Sequence, residues 1–386
     1  MSQIAQPADA TQLASIVEAA ARTRTPIVTA AGDSKWDWGR GRADDIHSDS
    51  SHGDSIPTQL SLAALSGIVD YQPSELVLVV GAATPLSQIE PLLSEQGQHL
   101  AFEPVHWRST ATAGGTVAVG LAGPRRFRAG SVRDFVLGLQ FVDGKGRLVR
   151  SGGRVVKNVS GFDLWRGLTG SFGGLGLITE ICFKLWPRPE AQCTLRFKRT
   201  QLQAASLTML QLAQRQEEIS ALAYVPTQGV LARLEGSESA LQGQIESIAR
   251  DVAIDDRLSL EESHTLWRAL REVESLREKS GTLWRFVVPA AGWVQLVGDL
   301  TARGIEDYHV DWGGGQVWAL AGEGLPLKGH EIADRVGGIA WRLATNRQDT
   351  NAEGGPPLDP GLRRLNMRLK NACDPQGILN PGRGAL

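Results

Sequence analysis

Two dense glycine clusters are the parts of this chain best suited to meet a ligand. The first runs Thr110-Ala-Thr-Ala-Gly-Gly-Thr-Val-Ala-Val-Gly-Leu-Ala-Gly; the second is Gly170-Ser-Phe-Gly-Gly-Leu-Gly-Leu-Ile. Side chains this small let backbone approach a ligand closely, and free N–H groups at a turn entering a helix suit a pyrophosphate. The competing reading of the first cluster is a helix packed on a sheet through its small face. That of the second is a compact turn before a buried strand. Neither cluster fits Gly-x-Gly-x-x-Gly after an N-terminal strand. The stretch Gly138 to Lys145 has the wrong spacing for a Walker loop, and Gly146 stands where Ser or Thr should bind magnesium. A conventional NAD site and an ATP site are therefore set aside. Between the clusters, Pro124-Arg-Arg-Phe-Arg-Ala-Gly-Ser-Val-Arg-Asp could counter phosphates or an acidic partner, although the usual role of such a run is a solvated face.

Other chemistry-bearing residues are sparse. His309-Val-Asp311 is a local His/Asp cluster, and such a pair is more often structural than a ligand set. Arg285, Arg342 and Arg347 are carboxylate binders by residue type alone, and an ion-paired surface role competes for each. Trp267, Trp284, Trp293, Trp312, Trp318 and Trp341 gather in the second half, as core residues or as an interface. Asn158-Val-Ser matches a glycosylation triplet without a secretory signal to make it relevant.

Composition bounds the class. The 386 residues suggest two or three domains. With 40 basic and 42 acidic residues, the formal net charge is −2, without the basic excess of a duplex nucleic-acid binder. Cys182, Cys193 and Cys373 lie too far apart for a disulfide framework or a Cys-based zinc or iron–sulfur site. No apolar run reaches the roughly 18 residues of a membrane span, and the start lacks a signal-peptide pattern, so the expected location is cytoplasmic. The 44 glycines exceed the usual share of about 7%.

The elements that must position these residues follow from pattern. Asp9 or Thr11 caps a helix with inner positions Leu13, Ile16, Val17 and Ala20, stopped by Pro26. Residues 25–31 and 76–83 read as buried strands, and Thr84 with Pro85 opens a helix ending at Gly97. Strands flanking Asp143-Gly-Lys-Gly form a hairpin, and Ile178 to Trp186 is a further strand. Helical spacing covers Gln203 to Glu218, Ser239 to Val252 and Glu261 to Lys279, with strand-like runs at Trp284 and Gly315. Residues 346–361 read as a mobile loop before a last helix, Leu362 to Ala372. This divides the chain into 1–190, 191–345 and a segment 346–386.

The order of segments carries more than any one of them. Pro26-Ile-Val-Thr-Ala-Ala-Gly-Asp-Ser, Leu76-Val-Leu-Val-Val-Gly-Ala-Ala-Thr-Pro-Leu, Phe102-Glu-Pro, Ala113-Gly-Gly-Thr-Val-Ala, Arg128-Ala-Gly-Ser-Val-Arg-Asp, Gly153 to Leu164 and Gly173-Gly-Leu-Gly-Leu-Ile-Thr-Glu are collinear. Together they resemble the FAD-binding domain of the vanillyl-alcohol oxidase superfamily over about residues 10–190, and Ile378-Leu-Asn-Pro-Gly-Arg resembles its closing motif. Gly123-Pro-Arg-Arg, Val155-Val-Lys-Asn-Val-Ser-Gly-Phe-Asp-Leu and Leu283-Trp-Arg-Phe are similar to the E-subunit family of bacterial glycolate oxidases.

The resemblance implies an α+β fold: a two-subdomain vanillyl-alcohol oxidase/PCMH-type FAD-binding domain with a smaller α+β cap. It implies that Ala30, Ala31, Gly32, Asp33 and Ser34 meet the pyrophosphate, with Ala30 and Ala31 standing where relatives often have a glycine pair. Pro104 is then near the flavin ring. Thr112, Ala113, Gly114, Gly115, Thr116 and Val117 wrap the ribityl and pyrophosphate. Gly130, Ser131 and Asp134 line the same groove. Gly174, Gly176 and Ile178 cover the adenine side, and Asn380 approaches the ring. The first loop offers no His or Cys at the matching place for covalent attachment, so non-covalent FAD is expected. The implied partners are a larger flavin subunit and an iron–sulfur subunit, with glycolate as the 2-hydroxy acid. Membrane contact is then peripheral, at the inner face, through those partners. The Gly-His-x-Gly-Asp-Gly-Asn-type metal signature of related dehydrogenases is missing. That absence favours an electron-relaying or shaping subunit. A self-sufficient dehydrogenase and a non-catalytic assembly subunit with a vestigial flavin site are the alternatives.

Overall fold

The computed structural model describes residues 4–35, 38, 57–153, 164–343, 356 and 358–383. The Val155–Leu164 motif up to Asp163, Asn158, Arg347 and most of the 346–361 loop lie outside the described residues. The chain forms two compact units. One comprises Met1–Leu121, Ser131–Pro187 and Thr350–Leu386, and the other Ala122–Gly130 and Arg188–Asp349. Pattern alone joined residues 122–130, with the candidate Gly130, to the first half. In the structure they belong to the second unit, where their side chains find partners.

In the first unit, α1 (Ala10–Thr23) starts at Asp9, whose carboxylate accepts the Gln12 N–H at 2.8 Å. It buries Leu13, Val17 and Ala20 along one face and ends at Arg24 in a left-handed conformation, φ 55°, before Pro26 is reached. Strand β1 (Ile27–Ala30) pairs in parallel with β2 (Thr58–Ser61). Then come β3 (Ile68–Gln72), β4 (Val77–Gly81), α2 (Leu86–Glu95), β5 (Gln98–His99) and α3 (Ala113–Val119). Thr84 does not cap α2. Its Oγ1 donates toward the Gly81 and Gly67 carbonyls, and Pro85 takes the cap position. After α4 (Arg126–Ala129), which is part of the second unit, follow α5 (Val132–Phe135), β6 (Val136–Val142), β7 (Leu148–Gly152), α6 (Leu164–Leu168), β8 (Leu177–Lys184) and β9 (Trp186–Pro187). A five-stranded antiparallel sheet runs β3-β4-β8-β6-β7. Its apolar strands β4 and β8 bury Leu78, Val80, Ile181 and Phe183 completely. The β6–β7 hairpin turns where the sequence puts it, with Asp143 accepting the N–H groups of Lys145 and Arg147, both at 2.9 Å.

The second unit is built on eight antiparallel strands, three of which, β11 to β13, fall in the gaps between the runs of helical spacing. Its elements are β10 (Ala191–Phe197), α7 (Leu202–Ala213), β11 (Ile219–Val225), β12 (Gly229–Gly236), α8 (Glu238–Asp251), β13 (Asp256–Leu258), α9 (Leu260–Glu272) and α10 (Glu274–Arg277). They continue with β14 (Thr282–Val287), α11 (Trp293–Thr301), β15 (Tyr308–Asp311), β16 (Gln316–Ala321), α12 (Gly329–Asp334) and β17 (Ile339–Leu343). The strand order is β13-β10-β12-β11-β15-β16-β14-β17. One face packs Tyr224, Phe286, Val310 and Val317 with Met209, Leu212, Leu296 and Leu300 from α7 and α11. On the other, Ala221, Ala223 and Leu231 meet Trp267 and Leu270 of α9.

The chain then returns to the first unit. Helix α13 (Pro360–Cys373) ends at fully buried Asp374, whose carboxylate accepts the N–H groups of Ile378 (3.1 Å) and Leu379 (2.8 Å) and pairs with Lys370 at 2.8 Å. The segment so held runs parallel to β1: Ile27 N–H donates to Ile378 O at 2.8 Å, and Asn380 N–H to Ile27 O at 2.9 Å. The tail thus adds a neighbour to the first strand.

Two outcomes follow. Asp374→Ala strands two buried amides and removes the carboxylate paired with Lys370, and is expected to lower stability by about 3 kcal/mol in urea unfolding. In the second unit, hydrogen bonds from Arg215 hold the Glu217 carboxyl down at about 2. Because the folded value lies below the unfolded one, this stabilisation is present above the ordinary carboxylate range and is lost as pH falls from about 4.5 toward 2. Arg215→Gln is expected to lower stability at pH 7, with the gap to the parent protein closing below pH 3 in the same assay.

Candidate functional site

A cleft in the first unit gathers three backbone segments that lie far apart in sequence. It holds about 810 Å³ of empty space, counted to its open mouth, and is lined by Thr29 to Lys35, by Thr112, Gly114, Gly115, Ala118 and Val119, and by Phe172, Gly173, Gly176, Leu177 and Ile178. Leu62, Ala82 and Arg383 complete the wall.

The first segment is the turn after β1. Strand β1 is fixed on both sides, by β2 and by the tail, and the Asn380 carboxamide oxygen accepts from Thr29 N–H at 2.9 Å and lies 3.1 Å from its hydroxyl. Beyond Ala30 the chain swings into Asp33, at φ 49°. Gly32 is required here, because a Cβ would run into the Thr110 carbonyl, and Thr110 Oγ1 donates to Gly32 O. Among the described residues no protein acceptor takes the N–H groups of Gly32, Asp33 or Ser34. Successive amides presented this way form an anion-binding concavity. Two cations share the wall: Lys35, buried, with its Nζ 3.3 Å from Ser34 Oγ and 3.4 Å from His106 O, and Arg383 from the tail.

The second segment is the start of α3. Thr112 is its N-cap and its Oγ1 accepts the Gly115 N–H at 3.2 Å. The two glycines that follow do different jobs. Gly114 N–H donates to Ala82 O at 2.7 Å, and a Cβ there would lie 2.8 Å from both Ala82 Cβ and Ala82 O. Gly114 therefore brings the helix against the end of β4. A Cβ at Gly115 would meet only Thr112 Oγ1, at 3.2 Å, so this residue leaves room on the cleft side. Helix packing and open cleft space thus fall on neighbouring glycines. The third segment turns at Phe172 and Gly173, φ 54° and 75°, and leads into β8.

Of the residues picked out from the sequence, Ala30, Ala31, Gly32, Asp33, Ser34, Thr112, Gly114, Gly115, Gly176 and Ile178 line this cleft. Others stand apart from its lining. Ala113, Thr116 and Val117 are buried on the far side of α3. Pro104 is buried elsewhere in the first unit. Ser131 and Asp134 form a capping box for α5, with Ser131 N–H and Oγ both 2.7 Å from Asp134 Oδ2. Gly130 lies in the second unit. Gly174 closes its turn with a bond to Ser171 O and accepts Lys370 Nζ at 2.6 Å. Asn380 serves β1. Lys35 and Arg383 were missed as wall residues. Both adjoin motifs that were recognised, and a cation next to an amide turn was the available signal. Among the described residues no group of three or more His, Cys, Asp or Glu is placed to hold a metal, and no helix is long and apolar enough to cross a membrane.

Comparison with known proteins now decides the family. The FAD binding domain family matches residues 1–152. Glycolate oxidase subunit GlcE of Escherichia coli (strain K12) is 39% identical over 320 residues, 82% of this chain and 84% of that one. The chain belongs to the GlcE family. Glycolate oxidase subunit GlcD of Bacillus subtilis (strain 168) is 39% identical over 99 residues, 26% of this chain and 21% of GlcD. A D-lactate dehydrogenase of Archaeoglobus fulgidus is 33% identical over 140 residues, 35% and 31% of the two chains. The fold is shared with alkyldihydroxyacetonephosphate synthase, TM-score 0.66 at 14% identity, over 98% of this chain and 75% of that one. It is the α+β, vanillyl-alcohol oxidase-type FAD fold, and FAD is the cofactor. The unanswered amides of Gly32, Asp33 and Ser34, with Lys35 and Arg383 beside them, fit the diphosphate of such a group.

The adjacent glycines give a sharp test. Gly115→Leu is expected to fill the cleft and lose most bound flavin while keeping its melting temperature. Gly114→Leu is expected to lose flavin and about 1–3 kcal/mol of stability through overpacking against Ala82. Released-flavin absorbance and thermal melts read the two effects separately.

Proposed function

We propose that this chain is the FAD-binding subunit of a glycolate oxidase complex. In that complex glycolate is oxidised to glyoxylate and the electrons pass to partner subunits, a larger flavin subunit and an iron–sulfur subunit. The observation that carries the reading is the cleft itself: an amide turn, a helix start and a glycine turn converge on one opening in a chain that matches GlcE over 82% of its own length. FAD, when bound, supplies a hydride acceptor. The chain's own residues do the holding. Amides of Gly32 to Ser34 and the side chains of Lys35 and Arg383 neutralise the diphosphate, and Gly115 admits it beside α3. Asn380 supports this set from outside the lining by holding Thr29 of β1. Attachment is non-covalent, and any membrane association is peripheral and made through the partners.

The purified chain is expected to be yellow, and acid or heat is expected to release its flavin intact. Anaerobic glycolate is expected to bleach the colour in the co-expressed complex and not in the isolated chain. Bleaching of the isolated chain would replace this reading by a self-sufficient dehydrogenase. A colourless chain that still assembles with its neighbours would make the cleft vestigial.

A further inference from the structure

Helix α13, in the first unit, turns its polar side inward and its leucines outward. Beyond the first turn its half-buried residues are Asn366, Lys370 and Cys373, which recur on one side. Lys370 anchors that side, with Nζ 2.6 Å from Gly174 O, 3.0 Å from Leu379 O and 2.8 Å from Asp374 Oδ2. No residue of the helix is fully buried. Leu362, Leu365 and Leu369 are 55%, 58% and 37% exposed. Helix α1, also of 14 residues, does the opposite and buries Leu13, Val17 and Ala20.

A rotation of about 100° per residue puts the three leucines within about 60° of one another, beside the inward stripe and not opposite it. The outermost side of the helix carries Arg364, Arg368 and Asn371, all exposed. The leucines therefore occupy a flank, and that flank faces α6. A Cβ at Gly167 of α6 would lie 3.9 Å from Leu369 Cδ2. Leu164, one turn before Gly167 on the same side of α6, is itself exposed. Leu164 thus continues the apolar strip from α13 onto α6. The charges around the strip have one sign. Residues 360–373 hold Arg363, Arg364, Arg368 and Lys370 and no carboxylate. Lys370 is paired with Asp374, whereas Arg363, Arg364 and Arg368 are exposed and have no ion pair among the described residues.

Three kinds of surface could cover such a strip, and charge and geometry separate them. A second copy would bring the same three arginines against their own kind. A flat anionic bilayer would rest on the outermost side and meet arginines before any leucine, whereas a helix that enters a lipid interface turns its apolar side outermost. A protein helix laid along the flank meets the leucines with its apolar side and the arginines with carboxylates at its edge. We propose that α13 and the start of α6 form the docking surface for a partner subunit, through a helix that is apolar on one side and edged with Asp and Glu. That this partner belongs to a glycolate oxidase complex rests on the reading above; the apolar and acidic character of its surface does not. Neither α6 nor α13 contributes a residue to the lining of the flavin cleft, so docking and flavin binding are separable.

Pull-down of the full chain, co-expressed with the larger flavin subunit and the iron–sulfur subunit, tests this. Flavin content and melting temperature are read on every variant. The parent chain is expected to retain its neighbours, and to retain them less well at about 1 M salt. Leu365→Asp is expected to cut retention at least about tenfold, and Arg364→Glu combined with Arg368→Glu to do the same. Leu365→Met is expected to restore it. Flavin content and melting temperature are expected to stay at the parent's values throughout. Full retention by Leu365→Asp or by the double arginine variant overturns the proposal. A large fall in melting temperature in Leu365→Asp also overturns it, because the chain itself would then cover the strip. So does a dimer of the isolated chain, or its binding to phosphatidylglycerol vesicles, that Leu365→Asp abolishes; the strip would then belong to a second copy or to lipid. A yellow parent chain that retains neither neighbour sinks the glycolate-complex reading together with the partner assigned here. A parent and variants that all retain both neighbours sink this surface alone.

Discussion

The first unit is organised around a turn whose amide hydrogens no acceptor among the described residues takes. A helix interior or a paired strand consumes its own donors, whereas a turn barred from both can offer several in succession. Gly32 is barred from neither by propensity. It is held there by geometry, between the Thr110 carbonyl and a β1 strand clamped from both edges. The left-handed Asp33 then turns the amides outward as a set. Remove either clamp and the donors regain the freedom to fold back on local carbonyls. The elements nearby are consistent with this demand: Thr112 starts α3 at the same opening, and Gly114 brings that helix down onto β4.

Local pattern revealed what local physics decides. The Asp9 cap, the inner face of α1, the hairpin at Asp143 and the starts of α8 and α9 are each settled within a few residues, and each is where spacing puts it. The strands β11 and β12 escaped notice because Ile219–Val225 and Gly229–Gly236 sit in a Leu- and Glu-rich stretch with helices on both sides. The apolar runs around the Pro226–Gln228 turn were the readable sign. The β1–tail pairing had no such sign, since a parallel partner three hundred and more residues away leaves no local period.

The candidate site divided along the same line. Segments whose backbone approaches a ligand were legible as glycine-rich turns. Individual side chains were less so. Ser131 and Asp134 look like groove residues in a motif, yet their atoms satisfy each other as a helix cap. Arg125, Arg126 and Arg128 read alike as a charged run, and the structure sends them to three different partners. Only strand register could show that His309, Trp318 and Arg285 share a row. In the second unit the sheet divides the scattered tryptophans, with Trp318 and Trp341 in one row and Trp284 and Trp293 in the core.

The hydrogen bond from Thr29 to Asn380 joins residues 351 positions apart. During synthesis, the first strand therefore emerges long before the segment that completes its edge. The ribosome must deliver nearly everything else in between, including the whole second unit, before Ile27 finds Ile378. Contacts of such separation form late and slowly. Until the tail arrives, β1 has β2 on one side and lacks its parallel neighbour on the other, so the strand beneath the cleft is completed last.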